Sequence, residues 1–266
     1  MDKQMRVTLV QSALEWEAPD VNRRHFSSRF DALAGNTDLI ILPEMFTSGF
    51  SMAPERVAET PEGPTLAWMR AEAKRTGAAI CGSLAVSTES GFVNRFLWVE
   101  PDGQQQFYDK RHLFRMGEEP EHYVAGNQRP IIEYRGWRVL PIVCYDLRFP
   151  VWCRNRNDYD LMICVANWPA PRRHVWRTLL MARAMENQCY VAGVNRIGRD
   201  GLGLDYAGDS LLLDFKGESL NQRDDGDAWL ETRLLDAGAL CSFRERFPAW
   251  KDADEFQLAD SSSRRT

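Results

Sequence analysis

Two features that mark other classes of protein are missing from this sequence of 266 residues: an excess of positive charge and a long apolar run. Its 33 Lys and Arg residues are outnumbered by 38 Asp and Glu residues, so no basic stripe predicts nucleic-acid binding. Apolar runs such as Leu161 to Ala166 have the length of a strand, not the ~20 residues of a membrane-spanning helix. We therefore expect a protein that binds neither nucleic acid nor a membrane.

A secretion signal is also missing. The first residues, Met-Asp-Lys-Gln-Met-Arg, run directly into a strand-like segment without the apolar core of a signal peptide. We therefore expect a cytoplasmic location.

Cysteine is present, but not in a pattern that crosslinks or binds metal. The sequence has no CxxC motif and no pairing of Cys with His at the spacing of zinc ligands. The six cysteines are Cys81, Cys144, Cys153, Cys164, Cys189 and Cys241. Most lie in apolar runs, which is typical of small buried side chains. We expect no disulfide framework and no metal.

Strand and helix patterns alternate along much of the chain. The first third predicts strand, helix, strand, helix, strand, and a βα alternation returns between 161 and 195 after two hairpins. This order predicts an α/β layer architecture. No linker of domain-boundary character is visible, so we expect one domain over 1–259. The polar residues 260–266 predict a frayed tail.

Three chemically capable side chains follow predicted strands. Cys144 comes after the apolar segment 139–143, Glu44 after 38–43 and Lys110 after 105–108. A carboxylate at the end of a buried strand is costly without a function. Taken singly, however, each residue also fits a structural role: a buried thiol, a capping glutamate and an edge-strand lysine.

Cys144 lies where the chain must turn after its strand. A nucleophile on such a turn is exposed at the sheet edge, and the backbone N–H of Tyr145 can point at a developing oxyanion. The glycines that flank serine-type elbows are absent here. On this local pattern alone, a buried structural cysteine is an equally good interpretation.

Several ordered segments together identify a family. They are Leu42-Pro-Glu44, Tyr108-Asp-Lys110, Val143-Cys144-Tyr-Asp-Leu-Arg-Phe-Pro and Asn167-Trp-Pro169. In this order they resemble the Glu-Lys-Cys triad and flanking segments of the nitrilase (carbon–nitrogen hydrolase) superfamily. The resemblance covers almost the whole chain. It implies a four-layer αββα sandwich, subunits that pair into a dimer or larger homo-oligomer, a small amide as substrate and no cofactor.

The triad roles that the resemblance implies also suit the chemistry of the groups. A thiol of pKa ~8.5 is mostly protonated at neutral pH, so attack on an amide carbon needs a base. Glu44 can take the proton of Cys144 and later deliver it to departing ammonia. Lys110 can stabilise the thiolate and the oxyanion, with the N–H of Tyr145 as second donor.

The family also has a second glutamate between its lysine and cysteine motifs. Here the segment 116–126 offers Glu118, Glu119 and Glu121. The spacing to Gly126 favours Glu119, with Glu118 as the alternative. The resemblance implies that this residue holds Lys110 and orients the substrate amide.

A Cys-His dyad is a rival assignment that would use His112 or His174. His112 lies two residues after Lys110, so in an extended strand it would project to the same face. With the triad segments intact, we interpret His112 as a structural residue near the site.

Within the superfamily, the segments are most similar to the bacterial omega-amidases. That resemblance implies hydrolysis of the terminal amide of small 2-oxo dicarboxylic acid monoamides. Phe46, Tyr145 and Trp168 are candidates for the wall of an apolar pocket. Arg148 is a candidate for the substrate carboxylate, although an ion pair with Asp146 is an equally good interpretation.

Two other functions stay open at this level. One is another amidase of the superfamily, acting on an N-carbamoyl amine or a simple carboxamide. The other is a catalytically silent sandwich that serves as a binding module, because a fold alone does not guarantee chemistry. The presence of all three triad residues favours an enzyme.

Overall fold

The computed structural model describes residues 4–223 and 226–258. The predicted frayed tail, 260–266, lies outside the described residues. The strands in chain order are β1 (Gln4–Gln11), β2 (Leu39–Ile41), β3 (Ala79–Thr88), β4 (Gly91–Val99), β5 (Gln105–Asp109), β6 (Ile132–Tyr134), β7 (Trp137–Val143), β8 (Leu161–Ala166), β9 (Tyr190–Asn195), β10 (Ile197–Arg199), β11 (Asp205–Ala207), β12 (Leu211–Leu213) and β13 (Trp229–Asp236).

Helices alternate with these strands. The α-helices are α1 (Pro19–Phe30), α2 (Pro54–Val57), α3 (Pro64–Thr76), α4 (Glu119–His122), α5 (Pro150–Cys153), α6 (Arg173–Asn187) and α7 (Ala237–Arg246). Short 3-10 turns cover Asp31–Leu33, Arg115–Gly117, Cys144–Arg148, Ala170–Arg172 and Ala249–Asp252. None of the helices within the described ranges is both long and apolar enough to cross a membrane.

The strands form two main sheets. The first has the order β13-β1-β2-β3-β4-β5 and the second the order β12-β9-β8-β7-β6. The centre of each sheet is parallel: β1, β2 and β3 in the first, and β7, β8 and β9 in the second. Antiparallel strands complete both edges. A separate hairpin pairs β10 with β11.

The two sheets pack face to face through alternating apolar residues. Met5, Val7 and Leu9 of β1 lie in one buried cluster with Val139 of β7 and Ile163 of β8. Successive strand residues point to opposite faces, so the intervening residues of the first sheet face its helices.

Helices cover the outer face of each sheet. Phe26 and Phe30 of α1, four residues apart on one helix face, pack with Met69 of α3 onto the first sheet. The α3 helix ends at Gly77, whose φ of 71° is the left-handed conformation that suits glycine at a helix end. Leu180 of α6 packs on the second sheet. The predicted αββα sandwich is confirmed.

The sandwich brings several strand ends to one place. Glu44 follows β2, Lys110 follows β5, Cys144 follows β7 and Asn167 follows β8. Parallel strands place their carboxyl ends at the same edge of a sheet, where binding sites of α/β proteins commonly form. The candidate site lies at this edge, between the two sheets.

Candidate active site

Lys110 lies between two buried carboxylates. Its Nζ is 2.9 Å from Oε1 of Glu44, and 3.0 and 2.9 Å from the two carboxylate oxygens of Glu119. None of the three side chains is exposed to solvent. The group carries one positive and two negative charges when all are ionised, and a fully buried cluster of this kind is stable only when each charge is paired and hydrogen-bonded.

Backbone contacts hold this cluster in place. The N–H of Lys110 donates to the carbonyl of Asn94 at 2.9 Å. Glu119 begins α4, and its Oε2 accepts a hydrogen bond of 2.6 Å from the N–H of Phe114. The N–H of Asn167 donates to Oε2 of Glu44 at 2.7 Å. The Glu44 carboxylate is therefore bound from both sheets.

Cys144 lies on a sharp backbone turn after β7. Its φ is 46°, in the left-handed region that non-glycine residues rarely adopt. It begins the 3-10 turn Cys144–Arg148, so Tyr145 is the second residue of a helical turn, a position whose N–H has no acceptor within the turn. Strained backbone of this kind clusters at functional sites.

Asp146 holds the Cys144 turn in shape. Its Oδ2 accepts hydrogen bonds from the N–H of Val143 at 3.0 Å and the hydroxyl of Tyr108 at 2.7 Å. Its Oδ1 accepts from the N–H of His112 at 2.9 Å and lies 2.8 Å from that residue's Nδ1. The turn is thus tied to the segment that carries Lys110.

The charges and burial of the cluster shift its pKa values. Burial lowers the pKa of Lys110, but the carboxylates of Glu119 and Glu44 outweigh it, and the net pKa is well above the usual value. Burial raises the pKa of Glu119, Lys110 opposes the rise and Glu44 adds to it. Burial also raises the pKa of the Cys144 thiol well above its ordinary value; Glu44 adds to the rise and Lys110 opposes it. The resting thiol is therefore protonated.

A cavity of about 180 Å³ opens onto Cys144. The side chain of Phe50 lies at this cavity and also over Lys110, whose Nζ is 5.0 Å from the ring centroid. The wall is largely aromatic and aliphatic, with a few polar groups, as is typical of small-molecule sites. The residues that line it are Phe50, Met52, Phe114, Met116, Gly117, Cys144, Tyr145, Arg148, Asn167, Trp168, Pro169, Arg172, Asp200, Leu202, Leu204 and Tyr206.

Three of the four predicted substrate-binding residues line this cavity: Tyr145, Arg148 and Trp168. Phe46 does not. The chain turns at Met45, whose φ is 43°, and this turn directs Phe46 into the core beneath α1 and α3, where its ring contacts Phe26. Phe50 lies on the cavity wall instead, so the prediction for Phe46 was wrong.

The structure distinguishes between the alternatives that the sequence left open for the second glutamate and for Arg148. Glu118 and Glu121 are exposed, whereas Glu119 contacts Lys110. Asp146 binds Tyr108 and His112, while the guanidinium of Arg148 lies over the ring of Trp168, 5.0 Å from its centroid. The expected alternative ion pair between Arg148 and Asp146 does not form.

Neither histidine of the rival dyad lies on the cavity wall. The ring of His112 stacks on Phe149 with centroids 3.7 Å apart, and its Nδ1 faces Asp146. His174 is exposed in the first turn of α6. The interpretation of His112 as a structural residue near the site fits this placement. No group of three His, Cys, Asp or Glu residues that could hold a metal occurs in the parts of the chain that the structure describes.

Two asparagines of the site, Asn94 and Asn167, were not among the predicted site residues, although Asn167 lies in one of the family segments. Nδ2 of Asn94 donates to Glu44 at 2.9 Å and to Glu119 at 3.3 Å. Asn167 donates from Nδ2 to the carbonyl of Glu44 at 2.7 Å. The signal in the sequence was a polar amide in or directly after an apolar strand, which a buried position tolerates only with partners.

Comparison with known proteins agrees with this geometry. The family model described as carbon-nitrogen hydrolase matches residues 6–237. The chain is 54% identical to "Omega-amidase YafV" of Escherichia coli (strain K12) over 254 residues, which cover 96% of this chain and 98% of the relative. It is 30% identical to "2-oxoglutaramate amidase" of Bacillus subtilis (strain 168), with 92% and 96% covered.

A solved structure shows the same fold. It is that of XC1258 from Xanthomonas campestris, described as a CN-hydrolase superfamily protein with an arsenic adduct in its active site. The two chains are 50% identical, the TM-score is 0.94, and the alignment covers 96% of this chain and 99% of the other. The family match and the shared fold cover nearly the whole chain, and this chain belongs to the carbon–nitrogen hydrolase family.

Proposed function

We propose that this hydrolase is an omega-amidase, which cleaves the terminal amide of small 2-oxo dicarboxylic acid monoamides through a thioester on Cys144. The observation that carries the proposal is the placement of Cys144 on a cavity and beside the buried Glu44–Lys110–Glu119 cluster, whose three charges all act on its thiol, with the guanidinium of Arg148 on the same cavity. Cys144 and the cluster provide the nucleophile, the base and the cation that amide hydrolysis needs. Arg148 provides a cation for the substrate carboxylate.

Acylation begins with attack of the Cys144 sulfur on the amide carbon. The thiol is protonated at rest because burial and Glu44 raise its pKa, so Glu44 takes its proton as the C–S bond forms. The carbonyl electron pair moves to oxygen and gives a tetrahedral oxyanion. This intermediate collapses as the C–N bond breaks, and Glu44 returns the proton to the nitrogen, which leaves as ammonia.

Deacylation repeats the proton path with water. Glu44 takes a proton from the water that attacks the thioester carbon, and a second tetrahedral oxyanion forms. Its collapse breaks the C–S bond and releases the acid, and the proton on Glu44 restores the thiol. One carboxylate therefore serves both half-reactions without a net change in the enzyme.

Lys110 and the N–H of Tyr145 stabilise the oxyanion in both steps. The pKa of Lys110 is raised well above its usual value: the carboxylates of Glu119 and Glu44 outweigh burial, which alone would lower it. The ammonium is therefore a permanent cation at neutral pH. A fixed charge in a water-poor site stabilises developing charge more strongly than in water, because the local dielectric is low. Glu119 holds this cation through both of its oxygens, which positions it for the substrate.

The choice of substrate follows from the cavity wall. Its volume of about 180 Å³ suits a small molecule, and Arg148 makes no ion pair in the described ranges. A guanidinium of this kind favours a substrate carboxylate. The names of the Escherichia coli and Bacillus subtilis relatives support the same substrate class.

We expect the wild-type protein to prefer an amide that carries a carboxylate. Ammonia release from 2-oxoglutaramate should exceed release from butyramide by a factor of about 10² or more in kcat/KM, because the neutral amide leaves the guanidinium without a partner. Arg148→Gln should remove most of this preference, whereas Arg24→Gln, an exposed control in α1, should leave it intact. Equal rates of wild type on both amides would contradict the proposed substrate class.

We also propose a homo-oligomer in the cytoplasm. Val151 of α5 and Met185 of α6 are exposed apolar side chains, 55% and 53% accessible, that a subunit contact would cover. Light scattering on the purified chain measures its mass directly, and cell fractionation measures its location.

A further inference from the structure

A second arginine lies on the same cavity as Arg148. Arg172 ends the 3-10 turn Ala170–Arg172 that precedes α6, and both arginines line the cavity with Cys144. Their guanidinium groups lie over aromatic wall residues: Arg148 is 5.0 Å from the ring centroid of Trp168, and Arg172 is 5.2 Å from that of Phe114. The cavity therefore presents two guanidinium groups on aromatic supports.

Neither guanidinium has a carboxylate partner in the described residues. Each guanidinium lies over an aromatic ring instead. Nearby arginines behave differently: Arg173 and Arg177 both pair with Asp209, at 2.8 and 3.0 Å. An arginine that leaves its charge unpaired on the wall of a cavity is available to an anionic ligand.

The backbone of Arg172 is fixed to the cavity wall. Nε1 of Trp168 donates a hydrogen bond of 3.0 Å to its carbonyl oxygen. The ring beneath its guanidinium belongs to Phe114, whose N–H binds Glu119 at 2.6 Å. The position of Arg172 is thereby coupled to the cluster around Lys110, so a ligand group held by Arg172 has a defined relation to the reacting centre.

Asp200 is the one acidic residue on the cavity wall within the described ranges, and both of its carboxylate oxygens already accept hydrogen bonds. Its Oδ1 accepts hydrogen bonds from the N–H groups of Leu202 and Leu204, each at 2.9 Å, and its Oδ2 accepts from the hydroxyl of Tyr206 at 2.9 Å. These contacts shape the β10–β11 hairpin. The two arginines therefore give this part of the wall an excess of positive charge.

We propose that Arg172 is a specificity-determining residue that, together with Arg148, binds the 2-oxo carboxylate end of the substrate. Two guanidinium groups can donate to the carboxylate and to the 2-oxo oxygen, which are both acceptors. A 2-amino acid such as glutamine would place an ammonium group beside these cations, where like charges repel. Arg172 thus selects 2-oxo over 2-amino omega-amides. The inference rests on the proposed function.

The test compares Arg172→Gln, Arg172→Lys and the control Arg24→Gln on 2-oxoglutaramate, glutamine and butyramide. Arg172→Gln should lower kcat/KM for 2-oxoglutaramate by about 10- to 100-fold, mainly through KM, the size expected for a lost hydrogen bond to a charged group. The rates on glutamine and butyramide should change less than about threefold. Arg172→Lys should recover part of the loss because it restores charge without the planar fork.

The possible results distinguish the role of Arg172 from the proposed function. Wild type that prefers 2-oxoglutaramate, with Arg172→Gln that keeps the full preference, overturns the role of Arg172 and leaves the proposed function standing. An equal loss on all three amides assigns Arg172 a structural role and also overturns the inference. Wild type without any preference overturns the proposed function, and the inference falls with it.

Discussion

Replacement of Cys144 by alanine is expected to abolish ammonia release from 2-oxoglutaramate, with a loss on the order of 10⁴-fold or more in kcat, because the atom that forms the thioester is removed. The fold should stay intact. Cys144 is half-buried on a cavity wall, so the deleted sulfur leaves no new closed void, and we expect a change in unfolding free energy within about 1 kcal/mol.

Cys164→Ala is the matched control for this result. Cys164 is fully buried within β8 in the apolar core, so its loss should lower the melting temperature without a specific loss of kcat. Steady-state ammonia assays and thermal unfolding of the two variants make the comparison. Substantial turnover by Cys144→Ala would rule out this residue as the nucleophile.

Lys110→Met should lower both the turnover and the stability of the protein. Turnover should fall by about 10²-fold or more because the oxyanion loses its cation. The protein should also lose about 3 to 5 kcal/mol of stability, because the carboxylates of Glu44 and Glu119 stay buried without the charge they share. Denaturant unfolding and the ammonia assay, run on the folded protein at low temperature, measure the two effects separately.

Lys74→Met is the control for a lost lysine, since Lys74 is exposed on α3 and should affect neither quantity. The double variant Glu44→Gln, Lys110→Met adds a test of cooperation. Groups that act as one unit are not additive, so the double variant should lose far less than the product of the two single factors. A loss equal to that product would show that the groups act independently.

Local sequence patterns predicted the elements whose signals are local. The βα alternation predicted between 161 and 195 is observed as β8, α6 and β9. The order of strands and helices was enough for the layered class, because each apolar stripe must be buried against another layer. The α7 helix and the β10–β11 hairpin were not predicted, since short polar-rich segments carry weak periodic signals.

The site could be predicted only in part, for a physical reason. Glu44, Lys110 and Cys144 each follow a strand, which the sequence shows. The hydrogen-bond partners lie far away in the sequence: Asn94 is 50 positions from Glu44, and Asn167 is 123 positions from it. Such contacts depend on how the two sheets stack.

Backbone turns set a further limit on prediction. The positive φ of Met45 decides which way Phe46 points. The residue types in this segment do not predict that positive φ. A bulky residue with positive φ is an outlier that the surrounding structure must impose. The placement of Arg172 over Phe114 depends in the same way on the turn that precedes α6.

The most direct test of the thioester is its capture by a second nucleophile. Succinamate, an omega-amide with a carboxylate but no ketone that could react on its own, is incubated with the enzyme and increasing hydroxylamine. The account predicts that wild type forms the hydroxamate in proportion to hydroxylamine at the expense of succinate, and that Cys144→Ala forms none, because an acyl-enzyme divides between water and the added amine. Ammonia release by wild type with succinate as sole product at every hydroxylamine concentration would contradict it.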